Sequence, residues 1–281
     1  MARALRGETR TPEQLREHYE IEKELASRLR QSAPEERLRL YTPIYDELFR
    51  RVAHHPVQRL KEDPRASRRT IQSQYRRVKR FLRPDTRFLE IGPGDCGLSF
   101  VVAQEVSQVY GVDVTEEIKK AGVLPDNFQF VLSDGTSVPL PPETATVAYS
   151  HQLMEHLHPD DALTQLRNIY RVLAPGGVYL CLTPNAVVGP HDISMYFDSV
   201  ATGLHLKEYT NAELAGLFAS VGFSKVRGMV SVKGHAILVP AWIPFTLEWL
   251  IQRLPHRLGR ALGVRMPLRS LLGVQLVAYK T

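Results

Sequence analysis

The chain has 281 residues, 43% hydrophobic and 23% charged, the balance of one ordinary globular domain with or without a helical extension. No apolar run is long enough to cross a bilayer, and the opening MARALRGETR lacks the apolar core of a secretory leader, so the expected compartment is the cytoplasm. A formal charge of +6 permits anionic partners without requiring them, and the two cysteines, Cys96 and Cys181, are expected to be small core residues rather than a disulfide.

Thr11-Pro12-Glu13-Gln14 supplies a cap, a first-turn proline and a capping-box glutamine, which predicts a charged helix to about Arg30. A second helix starts near Ser32-Ala33-Pro34-Glu35 and continues through LRLYTPIYDELFRRV, where Pro43 is expected to break or kink it. Over 66–83, Ile71, Tyr75, Val78 and Leu82 share one face of a third helix. The other face carries Arg68, Arg69, Arg76, Arg77, Lys79, Arg80 and Arg83. Residues 1–85 thus read as a helical cap over the carboxyl edge of a sheet, with Pro84-Asp85 as the linker into a main domain over 86–281.

From 87 onward, strands at 87–91, 108–114, 128–132, 144–150 and 177–183 alternate with helices at 97–106, 115–121 and 159–172, the pattern of an α/β fold with parallel strands and right-handed crossovers. Thr210 and Glu213 form a capping box for a helix over 210–221, and GFSKVRGMV and GVQLVAYK read as the final two strands. Between them, 241–270 reads as a helical insertion or lid, with Trp242, Phe245, Trp249 and Leu250 concentrated in 241–262.

The chemistry begins at FLEIGPGDCG (88–97), an apolar strand running into GxGxxG at Gly92, Gly94 and Gly97. A second strand, VYGVDV, carries Asp113, so the unit is strand–glycine loop–helix–strand with a carboxylate placed for ribose hydroxyls. Glu90 sharpens the reading. A carboxylate at that strand end repels a pyrophosphate but suits S-adenosylmethionine (SAM), which carries a sulfonium and an ammonium. Glu90, Gly92, Pro93 and Gly94 should line the methionine part, Asp113 with Val114 the ribose, and Ser150 with Tyr149 the point where the methyl emerges.

LEIGPGDCG, Asp113, SDG at 133–135 and LAPGGVYLCLTPN at 173–185 together resemble the successive motifs of class I SAM-dependent methyltransferases, over about 85–281. The resemblance implies a Rossmann-like, seven-stranded, mostly parallel sheet whose last strand is antiparallel. It also implies adenine contact by Ser133, Asp134 and Gly135, with S-adenosylhomocysteine as the product. Asp134-Gly135 reads equally as a turn dipeptide.

After the fourth strand, HQLMEHLHPDD places Gln152, Glu155 and His156 on one helical face behind His151, and GPHDIS and GLHLKEYT add His191, Asp192 and His205. Such groups could form an acid–base site or a metal site. The set resembles that of ubiquinone-pathway O-methyltransferases and plant small-RNA 2′-O-methyltransferases. There the corresponding glutamates and histidines hold a divalent ion that grips two substrate oxygens. Glu155, His156 and His205 match as ligands for Mg2+ or another divalent ion, whereas Gln152 stands in place of the first glutamate. His151 is the candidate base, His191 and His205 are further catalytic candidates, and Tyr45 is expected beside the pocket in a segment, YTPIYDELF, that closes over it.

The arginine face of 66–83 suits either solvent or an anionic surface, and the aromatic insertion suits a lid, a dimer contact or a peripheral membrane element. No RNA-recognition motif is present, so a nucleic-acid acceptor is not expected. The expectation is a methyltransferase acting on a small-molecule or lipid-linked acceptor at oxygen, as a monomer or homodimer. The alternatives are a metal-free C- or N-methyltransferase and a non-catalytic SAM-binding subunit.

Overall fold

The computed structural model describes residues 8–56, 63–115, 123–232, 235–263, 265 and 268–281. The helix expected over 115–121 lies almost wholly outside them. Two long helices open the chain. In α1 (Pro12–Gln31) the capping box forms as its sequence dictates, with the Thr11 hydroxyl on the Gln14 N–H and the Gln14 side chain on the Thr11 N–H. Contrary to expectation, α2 (Pro34–Arg51) continues through Pro43, at the loss of one backbone hydrogen bond. Helix α3 (Pro64–Val78) buries Tyr75 and Val78 and exposes Arg65, Arg68, Arg69 and Arg76, whereas Arg77 is half-buried.

The sheet has eight strands in the order β3-β2-β1-β4-β5-β8-β6-β7. Strands β1 (Arg87–Ile91), β2 (Gln108–Asp113), β3 (Phe128–Leu132), β4 (Ala145–His151) and β5 (Leu173–Thr183) are mutually parallel. The antiparallel pairings all involve β6 (Lys225–Val232), β7 (His235–Pro240) and β8 (Val274–Tyr279). The expected Rossmann-like sheet is present, with one strand more than foreseen. HAILVP forms the extra edge strand β7 by folding back on β6. The order reverses between β1 and β4, which is where such sheets bind ligands beyond their carboxyl ends.

Helices α4 (Gly97–Ala103), α5 (Pro159–Val172) and α6 (Asn211–Val221) flank the sheet, and the Thr210–Glu213 capping box opens α6 as its spacing requires. The cap shares its core with the sheet. Leu25, Leu29, Tyr41, Ile44 and Leu48 join Leu89, Ile91 and Val112 in a single apolar cluster. A buried clasp reinforces that packing. Arg37 donates to both oxygens of Asp161 at 2.5 and 2.9 Å, and the Tyr41 hydroxyl donates to Asp161 Oδ2 at 2.7 Å while accepting the His158 N–H at 3.0 Å. Removing one partner of such a pair costs about 3–5 kcal/mol.

Within 241–270 the described residues form α7 (Trp242–Gln252), α8 (His256–Gly263) and the start of α9 (Leu268–Leu272). Ile251 and Leu272 pack with Val188, and Trp242 and Trp249 face solvent. Cys96 and Cys181 are buried free thiols.

Candidate functional site

The carboxyl ends of β1, β2 and β3 open onto a cavity of about 350 Å3 with Tyr41, Tyr45, Asp46 and Phe49 of α2 along one wall. Gly92 and Gly94 turn the chain away from β1 with φ of +68° and +56°. A Cβ on Gly94 would stand in open space, so this glycine serves the left-handed turn and keeps the cavity floor clear. Gly97 answers to a different neighbour. Its Cβ would lie 2.5 Å from Ile71 Cδ1, so the third glycine admits α3 to α4 rather than a ligand to the loop.

Asp113 Oδ2 accepts the Gly94 N–H at 3.0 Å and Oδ1 the Thr115 N–H at 3.1 Å, while burial pushes the carboxyl above its ordinary pKa. Val114, Ser133 and Gly135 line the same cavity. A second cavity, of about 140 Å3, shares Gly92 with the first and is lined by Glu90, Pro93 and His151. Burial drives Glu90 up to about 8, with Asp95 and Asp113 adding repulsion, although Ser99 Oγ donates to it at 2.6 Å. His151 is pushed down to about 4, by burial first and the Arg77 charge second, and its Nδ1 lies 3.1 Å from the Gln74 amide.

Two expected cofactor-binding residues line neither cavity. Asp134 is exposed and spends Oδ1 on its own turn, accepting the N–H groups of Thr136 at 2.9 Å and Ser137 at 2.7 Å. Side chains alternate along β4, so the Ser150 hydroxyl is buried in the core, 2.7 Å from Tyr179 OH, and lines neither cavity.

The expected ligands do converge. Glu155 and His156 sit on a 3-10 turn (Met154–His156), and one ligand atom from each lies within 4.8 Å of a His205 nitrogen. His156 Nδ1 is 3.1 Å from the Leu204 carbonyl, which only accepts, so Nδ1 carries the proton and Nε2 keeps its lone pair. His205 Nδ1 is held by Glu208 Oε1 at 2.7 Å, leaving Nε2 for the cluster. Glu155 Oε2 accepts the Thr183 hydroxyl at 2.7 Å, whereas its buried Oε1 has no partner. Each ligand is therefore oriented from behind and retains one uncommitted atom, an arrangement that fits a divalent cation. Burial raises Glu155 to about 7 and lowers His156 to about 3. For His205, burial is outweighed by the Glu208 hydrogen bond and the Glu155 charge, so its pKa rises.

Tyr45 lines the main cavity edge-on to His156 at 5.8 Å, and burial holds its unpartnered hydroxyl protonated. His191 stands outside both cavities. It donates its N–H to Glu208 at 2.7 Å, and its Nε2 lies 3.0 Å from the Asn185 carbonyl, so it supports the Glu208 side of the cluster. A second carboxylate–histidine trio, His18, Glu22 and His55, lies in the cap. There the Arg10 guanidinium sits 2.6 Å from His18 Nδ1 and can only donate, so His18 Nε2 carries its proton toward Glu22 at 2.7 Å.

Sequence reasoning missed Gln74 and Gln165. Gln165 donates to the Gly135 carbonyl at 2.6 Å and lines the main cavity with a buried, unpartnered Oε1. Its spacing from Asp161, one helical turn along the buried face of α5, was the only signal.

Residues 89–181 match a methyltransferase domain family. Over 137 residues, 48% of this chain, the sequence is 31% identical to a probable S-adenosylmethionine-dependent methyltransferase of Mycolicibacterium smegmatis, and this chain spans 51% of that protein's length. The structure is similar to a SAM-dependent methyltransferase from Archaeoglobus fulgidus, with a TM-score of 0.54 and 20% identity over 80% of this chain and 100% of that one. It is also similar to phosphoethanolamine N-methyltransferase 1 of Haemonchus contortus in complex with phosphoethanolamine and S-adenosylhomocysteine. That likeness has a TM-score of 0.55 and 13% identity, over 89% of this chain and 50% of that one. At these identities both structural likenesses concern the fold. Glycine loop, sheet order and sequence match agree: residues 89–181 match a methyltransferase domain, set in a sheet of Rossmann-like order.

Proposed function

We propose that this chain transfers the methyl group of SAM to a hydroxyl oxygen of a small or lipid-linked acceptor, with a divalent ion held by Glu155, His156 and His205. The observation that carries this reading is the shared cavity: Tyr45 and His156 line the same space as Gly94, Asp113 and Ser133. Donor elements and His156, one member of the polar cluster, therefore face the same space.

Asp113 offers carboxylate oxygens to the ribose, Ser133 and Gly135 flank the adenine, and Glu90 faces the ammonium end. The acceptor oxygen attacks the methyl carbon in line with sulfur. The carbon–sulfur bond breaks, the sulfonium leaves as a neutral thioether, and the hydroxyl proton passes to His151. The Gln74 amide nitrogen lies 3.1 Å from His151 Nδ1 and donates to it, so His151 acts as the base once that amide turns over to present its oxygen to Nδ1–H, which frees the Nε2 lone pair. Burial leaves the imidazole neutral at physiological pH, as a base requires. The ion, when bound, supplies Lewis acidity that makes the acceptor hydroxyl easier to ionise. Two imidazoles and one carboxylate suit Zn2+, Fe2+ or Mn2+ better than Mg2+, which prefers oxygen donors.

The test is S-adenosylhomocysteine release with a panel of hydroxylated acceptors, after chelation and again with each ion restored. Turnover should vanish and return, and kcat/KM should fall as pH drops below about 8 to 7, since Glu90 and Glu155 must give up protons to hold donor and ion, with a further fall near 4 as His151 takes up a proton. Full activity after exhaustive chelation would remove the ion and favour the metal-free C- or N-methylation reading. SAM binding without turnover of any acceptor would favour a non-catalytic subunit.

A further inference from the structure

A helix on a protein surface ordinarily buries its apolar stripe and turns its charges to water. Helix α7 also turns large apolar side chains to water. Pro244, Glu248 and Ile251 are buried, while Trp242, Trp249 and Leu250 are 64%, 53% and 49% exposed. Residues 242, 246, 249, 250 and 253 are all exposed and recur at the spacing of a single helical stripe.

This orientation is enforced from inside. Glu248, only 2% exposed, accepts the Asn185 amide at 2.6 Å, the Asn211 amide at 2.8 Å and the Asn211 backbone N–H at 2.7 Å. Those last contacts lie at the N-terminus of α6, where the helix dipole favours a carboxylate. Pro244 also packs against Gly228, where a Cβ would come within 3.2 Å of Pro244 Cγ. Rolling α7 to hide its tryptophans would strip Glu248 of all these partners.

Charge identifies the occupant of the outer face. Residues 241–272 contain five arginines (253, 257, 260, 265 and 269) and one acidic residue, the buried Glu248. Arg253 lies flat against Trp249, its guanidinium carbon 3.2 Å from the ring centroid. On the neighbouring α6, Glu213 is paired with Lys207 at 3.0 Å. The segment therefore exposes aromatic and apolar side chains together with Arg253, Arg265 and Arg269. A second copy would set these arginines against themselves across a two-fold axis. A negatively charged lipid surface satisfies both components, since tryptophan favours the headgroup level and arginine pairs with anionic headgroups. No described helix is long and apolar enough to cross a membrane, so contact at this face would be interfacial.

We propose that the outer face of α7 docks on anionic phospholipid bilayers. This inference does not depend on the methyl-transfer reading. Trp242 and Trp249 are the two tryptophans of the chain, so intrinsic fluorescence reports on this face alone. The full chain should co-sediment with phosphatidylcholine–phosphatidylglycerol vesicles with a blue-shifted emission, and it should be released as ionic strength rises. Co-sedimentation with phosphatidylcholine alone should be weaker. The triple variant Trp242→Ser/Trp249→Ser/Leu250→Ser should lose at least about tenfold in partitioning, and Arg253→Glu a few fold, with SAM binding heat retained as the check on folding. Unshifted emission with the anionic vesicles, or wild-type partitioning by the triple variant, would overturn the proposal. So would a solution dimer that the triple variant disperses without lipid, since that would put a second copy on this face.

Discussion

Glu22 and Glu155 are both buried carboxylates in a trio with two histidines, yet their protons are held in opposite ways. Burial alone would raise Glu22, but the His18 hydrogen bond and the His55 imidazole 3.8 Å away outweigh it and hold the carboxyl well below the usual range. Its other oxygen accepts the Leu204 N–H at 3.2 Å, so both oxygens are engaged. Glu155 has the Thr183 hydroxyl on one oxygen and nothing on the other, and burial lifts it to about 7. Proximity of acids and imidazoles is therefore common to a structural brace and a candidate ligand site. What separates them is whether lone pairs are left over.

The sharpest way to break that comparison is Glu22→Ala. It strands the buried His18 imidazole and the Leu204 amide, and should cost about 3–5 kcal/mol in urea unfolding while leaving metal content at the wild-type level. Equal metal loss in this variant and in Glu155→Ala would erase the distinction. Glu155→Gln should behave in the contrary manner, lowering metal affinity about 10- to 100-fold in competition with a chelator while shifting the unfolding midpoint little.

Acid sharpens the brace further. His18 is held below its ordinary 6.5, burial prevailing over the pull of Glu22, and Glu22 is held below 4.5. The unfolded chain therefore binds protons first, so both contributions are full above those values and are lost as pH falls through them. Urea midpoints measured between neutrality and acid should drop in that window, and Glu22→Ala should flatten the lower part.

The smallest expected effect concerns Glu90. With its carboxyl raised to about 8, the group is mostly protonated at neutral pH, and a cationic donor should drive that proton off. Calorimetry of SAM binding in two buffers of different ionisation enthalpy should register a fraction of a proton released. Glu90→Gln should remove that fraction. An unchanged buffer dependence in the variant would assign the proton elsewhere.

Local patterns carried the sequence reading a long way. Both capping boxes, the bounds of α5 and the left-handed glycine loop depend on residues a few positions apart, and the chain builds each as its spacing requires. The ligand cluster was legible through Glu155, His156 and His205, because a resemblance supplied the long-range pairing that spacing alone does not. Ser150 and Asp134 show what spacing does not reveal: a residue beside a ligand-binding strand end points one of two ways. One faced Tyr179 and the other its own turn. Edge strand β7 was missed because HAILVP is short and its partner strand had already been assigned. The roles of Gln165, Glu22 and Glu248 rest on contacts between elements far apart in the chain, with no local signature.

The Arg37–Asp161–Tyr41 clasp bears on how this protein can be shortened in the laboratory or by a protease. Cutting away the first two helices would deprive Asp161 of its counter-ion, the Leu204 amide of its acceptor and the sheet of about a quarter of an apolar cluster. What remained would keep every donor-binding motif on paper and yet lack one wall of the pocket that those motifs line.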